Sequence, residues 1–230
     1  MRAVSFLALA LLAPALVQED EAERACQGME KRLVEAKTLR FTFAMTVEVD
    51  AMEDKLKGTI WLGEGNKARI DVKGTMSGGK SLEMFMFSDG NHMVTKMTGV
   101  PSQAPRETPR GTGELIRGTI GRAGVFAGLF YGTNDKKEPT LDELFTLSDF
   151  KIGNREKKGL REVLVIEHKI AFRGAKEKGM ITVWIDNKAL LPEKRVFTIN
   201  DAAHRVRVME AYEGMSVDAK LDDELFSLPK

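Results

Sequence analysis

From Leu39 to Val49 the character of the chain alternates with a period of two. Leu39, Phe41, Phe43, Met45, Val47 and Val49 take the odd positions, and Arg40, Thr42, Ala44, Thr46, Glu48 and Asp50 take the even ones. Such a run reads as an extended strand with one buried and one largely solvated face. Similar runs recur at 56–62, 68–72, 81–87 and 92–97, with Gly63-Glu64-Gly65-Asn66 and Ser88-Asp89-Gly90-Asn91 as turns. After residue 145 the pattern returns at 150–152, 161–172, 180–186, 192–199 and 205–212, with polar turns at 153–159, 173–179, 186–191 and 200–204. Connections this short between consecutive strands demand antiparallel pairing. The expected architecture is α+β, mainly β: one curved antiparallel sheet of about ten strands with helices on one side.

The helices announce themselves by a change of period. In 19–37, Ala22, Ala25, Cys26, Met29, Leu33 and Val34 recur at three- and four-residue steps, an amphipathic stripe that can pack on a sheet. In 114–131, Leu115, Ile116, Thr119, Ile120, Ala123, Phe126, Ala127 and Phe130 keep helical spacing. Gly118, Gly121, Gly124 and Gly128 weaken that helix by about 1 kcal/mol each relative to Ala, which points to close packing, mobility or a break. Residues 99–113 hold three Pro and three Gly and read as a loop. Residues 141–145 read as one helical turn capped by Thr140.

The N-terminus is a separate matter. Met1-Arg2 precedes the uncharged stretch Ala3 to Val17, which is followed by Gln18-Glu19-Asp20-Glu21. A positive start, a short apolar core and Ala13-Pro14-Ala15 read as a secretory signal peptide, 1–17, cut within a few residues of Ala15. The stretch is short for a membrane span, which needs about 20 residues. Residues 18–230 are then one domain, expected to be exported, soluble and monomeric.

Composition excludes several classes of function. With 35 Lys+Arg against 34 Asp+Glu there is no basic excess for nucleic acid. A single Cys excludes a disulfide framework and a cysteine-ligated zinc site. Three histidines far apart in sequence offer little for a metal centre, and no cofactor is expected. Gly74-Thr75-Met76-Ser77-Gly78-Gly79-Lys80-Ser81 satisfies the spacing of a phosphate-binding loop, but that chemistry needs a helix directly after the lysine. Here Leu82 to Phe87 alternates like a strand. The segment is expected to be a hairpin turn that binds no nucleotide. No catalytic motif stands out, so an enzyme is not expected, although a hydrolase with a dispersed site is kept as an alternative.

Methionine is the unusual residue. Of 12 in the chain, Met45, Met76, Met84, Met86, Met93 and Met97 fall within one 53-residue region that also holds Phe85 and Phe87, with Phe41 and Phe43 just before it. Flexible thioethers fill irregular cores, and they also line adaptable apolar surfaces that suit an acyl chain. Phe41, Phe43, Met45, Ile60, Leu62, Ile70, Met84 and Met86 are the candidate lining of an apolar ligand cavity between sheet and helices. Leu115, Ile116, Ile120, Phe126 and Phe130 are the candidate lid.

Several segments in order resemble the LolA family of periplasmic lipoprotein carriers. They are Gly58-Thr59-Ile60-Trp61-Leu62, Phe87-Ser88-Asp89-Gly90-Asn91, Val183-Trp184-Ile185-Asp186 with Leu191-Pro192, and Phe226-Ser227-Leu228-Pro229. The resemblance implies an unclosed β-barrel wrapped around lid helices, with lipid or lipoprotein acyl chains as cargo. It also implies a chaperone role in outer-membrane lipoprotein sorting, with an inner-membrane exporter or an outer-membrane acceptor as partner. An envelope-stress sensing or interaction module on the same fold is the alternative. One departure matters. The family's best-known carriers have an Arg-Pro turn after the Trp strand, whose arginine locks the lid through backbone carbonyls. Here that turn is Gly63-Glu64-Gly65-Asn66, and Arg69 comes only on the next strand. The lid is therefore expected to be held in another way, or the cargo to differ.

Overall fold

A computed structural model of the chain describes residues 13–101, 104–130, 140–174, 178–200 and 205–227, with backbone alone for 13–19 and Phe130. Most of the signal-peptide reading therefore lies outside the described residues. In chain order the elements are α1 (Ala13–Val34), β1 (Leu39–Val49), β2 (Met52–Leu62), β3 (Lys67–Met76), β4 (Lys80–Asp89), β5 (His92–Met97) and β6 (Arg106–Glu107). Then come α2 (Thr112–Arg122), α3 (Val125–Phe130), α4 (Leu141–Leu144), β7 (Phe145–Lys158), β8 (Arg161–Phe172), β9 (Lys178–Asp186), β10 (Leu191–Asn200) and β11 (Arg205–Val217). A 3-10 turn at Asp223–Phe226 follows.

The strands form one antiparallel sheet, in the order β6-β5-β4-β3-β2-β1-β11-β10-β9-β8-β7. It is not closed into a barrel, and β6 and β7 are its edges. Two meanders, β1 to β6 and β7 to β11, meet where β1 pairs β11. The inner face follows from the period-two pattern. Phe41 stands opposite Ile60, Ile60 opposite Ile70 and Ile70 opposite Met86. In the other half, Ile166 opposes Val183 and Ile181 opposes Phe197. These residues join the core, against which Ala22, Ala25, Cys26, Met29 and Leu33 of α1 pack. Each fully buried large aliphatic or aromatic side chain contributes roughly 1.5–3 kcal/mol.

The expected sheet of about ten strands is present, with eleven, and three local expectations are corrected. Within the expected loop at 99–113, Arg106 and Glu107 form a short strand that pairs with Met93 and His92. The strand expected at 150–152 runs from Phe145 to Lys158 and takes in all but Gly159 of the expected turn at 153–159. It is an edge strand, interrupted by two register shifts and by Asp149 at φ 58, and its exposed polar run Asn154 to Lys158 erases the alternation. Bulges and charges of this kind are how edge strands avoid pairing with other chains. Lastly, α1 begins earlier than residue 19 and ends at Val34.

Other local readings hold. Thr140 and Glu143 form a reciprocal capping box on α4. The loop at 74–81 is a hairpin turn: Met76 pairs with Lys80, Gly78 and Gly79 have φ of 80 and 76, and β4 rather than a helix follows.

Candidate functional site

The inner face of β1–β4 gathers every residue expected to line a cavity. Phe41, Phe43, Met45, Ile60, Leu62, Ile70 and Met84 are buried, and Met86 is half-buried against them. Two cross-strand rows organise them: Phe41, Ile60, Ile70, Met86 and Phe43, Gly58, Val72, Met84. Gly58 makes room in the second row, where an added Cβ would stand 2.8 Å from the Phe43 ring. The first row meets the other half of the molecule through an edge-to-face contact between Phe41 and Tyr212, with ring centroids 5.7 Å apart. In this state the face is packed, and these side chains form core.

Helices α2 and α3 belong to the same core. Of the expected lid, Ile120 is buried, while Leu115, Ile116 and Phe126 are half-buried against the core. The Phe130 side chain lies outside the described residues. The expected break is present: α2 ends at Arg122, and Gly124 at φ 97 separates it from α3. The glycines allow close approach. An added Cβ on Gly121 would lie 3.1 Å from Glu30 Cα on α1, and one on Gly118 would strike Leu141.

The sheet holds this broken helix by its free ends. The inward-facing Arg195 of β10 donates from Nη1 to Ile120 O at 2.6 Å and from Nη2 to Gly121 O at 2.7 Å. Glu210 of β11 accepts from Val125 N at 3.0 Å and Phe126 N at 2.7 Å. A helix leaves its last carbonyls and first amides without internal partners. A cation therefore meets the carbonyl end of α2, and an anion meets the amide end of α3. Arg195 and Glu210 stand directly opposite each other in the β10–β11 register. Both are buried, at 1% and 3% exposure, and Tyr212 Oη donates to Glu210 Oε2. Charged hydrogen bonds such as these are roughly twice as strong as neutral ones.

A second tie runs the other way. Arg117 of α2 is buried and donates from Nη2 to Gly63 O at 2.6 Å and to Lys37 O at 3.2 Å. The turn after the Trp strand therefore supplies an acceptor, and the arginine stands on the helix. Arg69 has no part in this. It lies on the outer face, 5.4 Å from the Trp61 ring centroid and 5.7 Å from that of Phe85, and pairs with Asp71. Arg122 completes the attachment, with Glu30 of α1 at 2.8 Å and Asp142 of α4 at 2.5 Å.

Burial governs the titratable groups here. It pushes the Cys26 thiol up to about 12, so this cysteine is a small apolar core residue and not a nucleophile. It drives His168 down to about 4, and the ring stacks on Phe150 with centroids 5.0 Å apart. Burial, followed by the nearby Glu210, raises Tyr212 well above its ordinary range. Among the described residues no cluster of His, Cys, Asp and Glu could hold a metal ion, and no helix is long and apolar enough to cross a membrane.

Sequence reasoning placed the apolar face and the cover together but missed Arg117, Arg195 and Glu210. A signal for two of them was present. Arg195 and Glu210 occupy the inward phase of their strands, in series with Phe197 and Val208, where an apolar residue is the rule.

No protein-family model matches the sequence, and no curated protein matches it. Solved structures do resemble it. LprF from Mycobacterium bovis is 12% identical with a TM-score of 0.45, covering 88% of this chain and 95% of its own. The Mycobacterium tuberculosis lipoprotein LppX is 10% identical with a TM-score of 0.46, covering 89% of this chain and all of its own. The MucA/MucB complex of Pseudomonas aeruginosa contains a chain 12% identical with a TM-score of 0.41, covering 90% of this chain and 61% of that one. At these identities the likeness extends to the fold alone.

Proposed function

We propose that the chain is an exported, non-enzymatic carrier that holds lipoprotein acyl chains or another lipid between the inner face of β1–β4 and the α2–α3 cover. The observation that carries this is the mismatch between the two surfaces. The sheet side is a continuous thioether and aromatic face with no directional demands. The cover is a glycine-rich, broken helix attached by a few charged side chains bonded to backbone atoms. Short helices rich in glycine have little stability of their own. Segments of low local stability are the ones that open first. Once the cover lifts, an acyl chain can replace its apolar contacts, because hydrophobic contact is non-directional.

One observation favours a second reading. The inner face is filled by side chains of the protein itself. If α2–α3 remain docked, the domain acts as an interaction module that meets a partner protein with its outside.

The test is native mass spectrometry of protein exported by a Gram-negative host and purified without detergent. The carrier reading expects stoichiometric phospholipid or lipopeptide adducts, reduced in a folded Met84→Asp variant and acquired faster by Arg195→Met, whose cover is loosened. If wild type and Arg195→Met are both lipid-free and take up neither added phospholipid nor lipopeptide, the carrier reading fails and the interaction module stands. The intact mass of the same sample locates the signal-peptide cut.

A further inference from the structure

The outer face of the sheet carries a groove that the carrier reading leaves unused. It has a volume of about 660 Å3 and adjoins a second of about 410 Å3, the two sharing Ala44, Lys57 and Lys73. The strand register explains its shape. One cross-strand row reads Lys194, Ala211, Ala44, Lys57, Lys73 and Glu83 from β10 to β4. The two alanines leave a trough with lysines on either side. Strand spacing puts the Lys194 and Lys57 backbones roughly 14 Å apart, so two flexible four-carbon stems can lean in over one group lying on the alanines. The next row adds Met209, Thr46, Lys55, Thr75 and Ser81: a patch of apolar floor, a further cation and three hydroxyls.

The charges along this trough do not cancel. Lys57 and Lys73 stand directly opposite each other across β2 and β3, an arrangement that is destabilising without a counter-charge. Lys73 has Glu83 at 3.1 Å, and Lys55 has Glu53 at 2.7 Å. Lys57 has no carboxylate partner among the described residues. Lys194 rests on an aromatic ring instead, its Nζ 4.6 Å from the Trp184 centroid, and that indole is held by Glu156 Oε1 at 3.0 Å. Four lysines therefore line the larger groove with one exposed carboxylate, Glu83, because Glu210 points to the inner face; the adjoining groove adds the exposed Glu213 and Asp71, which pairs with Arg69. This local excess sits on a chain whose formal net charge is only +1.

We infer that this trough is a binding site for a phosphate-bearing small molecule or headgroup. Lys57, Lys73 and Lys194 are its cationic walls, and Thr46, Thr75 and Ser81 its hydroxyl donors. Its volume is in the range of ligand clefts, and a trough between lysine walls suits a discrete anionic group better than a flat membrane surface. It lies on the face opposite the lid and stands or falls independently of the carrier reading.

Trp184 offers a built-in reporter. In a Trp61→Phe protein it is the sole tryptophan, and a Lys194 drawn onto a ligand leaves its ring. Titration with pyrophosphate and with short-chain dihexanoyl phosphatidic acid at low salt is expected to give a saturable fluorescence change, weakened by 0.5 M NaCl. Calorimetry on Lys57→Gln and Lys194→Gln is expected to show at least tenfold weaker binding, with unchanged circular dichroism. Phosphatidic acid at least tenfold tighter than pyrophosphate identifies a lipid headgroup site, and equal affinities identify a site for free phosphate compounds. Absence of saturable binding to either probe overturns the inference, as does binding unchanged in a Lys57→Gln/Lys73→Gln double variant. Adsorption to phosphatidylglycerol vesicles without binding of either soluble probe also overturns it, in favour of a membrane-facing surface.

Discussion

Two helical segments cover the inner face, and they are attached by opposite means. α1 is a long helix whose buried stripe, Ala22, Ala25, Cys26, Met29 and Leu33, packs into the core. Its attachment is hydrophobic burial spread over several turns, with no single indispensable contact. The α2–α3 segment also places Ile120, Ala123, Val125 and Ala127 in the core, but it carries several glycines and a break at Gly124. To that packing it adds discrete charged ties: Arg117, Arg195 and Glu210 bond to backbone groups, and Arg122 bonds to Glu30 and Asp142. Burial of the first kind resists local opening because it is lost only gradually. Attachment of the second kind is released as a unit, because a buried charge without its partners is costly. Under the proposed carrier function, α1 belongs to the body of the protein and α2–α3 is the segment that moves.

The largest effect is expected where that contrast is sharpest. Arg195→Met strips two carbonyls of their donor and leaves the Glu210 carboxylate buried opposite an apolar residue. A loss of about 4 kcal/mol in urea unfolding is expected. Hydrogen exchange should accelerate across 112–130 well before 20–34, and equal acceleration in both would break the distinction. A double variant, Arg195→Met/Glu210→Met, should recover part of the loss. On the α1 side, Leu33→Ala is expected to cost about 3 kcal/mol, spread over the whole molecule with no preference for α2–α3.

Next in size is a pH effect. Burial keeps His168 neutral in the folded protein down to about pH 4, whereas an unfolded chain takes up that proton near 6.5. Between these values the unfolded state binds more protons. Stability is therefore full above about 6.5 and falls as the pH drops towards 4, by roughly 2 kcal/mol at pH 5. Urea melts across this range should show the slope, and a His168→Leu variant should lose it. The smallest effect belongs to Gly124→Ala. It places a side chain in the left-handed region, with its Cβ 2.5 Å from a Glu210 carboxylate oxygen, and is expected to cost about 1–2 kcal/mol. A loss confined to α2–α3 exchange would tie the break to the cover.

Much of the fold was legible because most of these strands bury chiefly one face, as β1 and β3 do, and a period of two records that directly; β8, which buries Val163 to Ile166 in succession, was legible as a continuous apolar run. The Thr140 cap and the glycine-marked break were legible for similar local reasons. β7 was under-read because an edge strand with bulges has no reason to alternate. β6 was missed because two residues carry no period. Arg195 and Glu210 were passed over for a different reason. Each breaks the inward apolar phase of its strand, but the meaning of that break arises only when the register sets them face to face beneath the ends of two helices. Arg117 likewise gains its role from Lys37 and Gly63, which are distant in sequence and adjacent only after folding.

The pairing of β1 with β11 also bears on how the chain is assembled. Within each meander every strand pairs with its neighbour in sequence, so both can form from local contacts. The seam between them joins Leu39 to Val217 and Val49 to Val206, nearly the full length of the domain apart. Contacts of such separation are slow to close, and this one is expected to limit the folding rate. Because β11 is the last strand of the sheet to be synthesised, β1, with Phe41, Phe43 and Met45, has one edge unpaired until residues 205–217 have been made. A growing chain therefore carries an open, strongly apolar strand over that whole interval, and needs protection there until the seam closes.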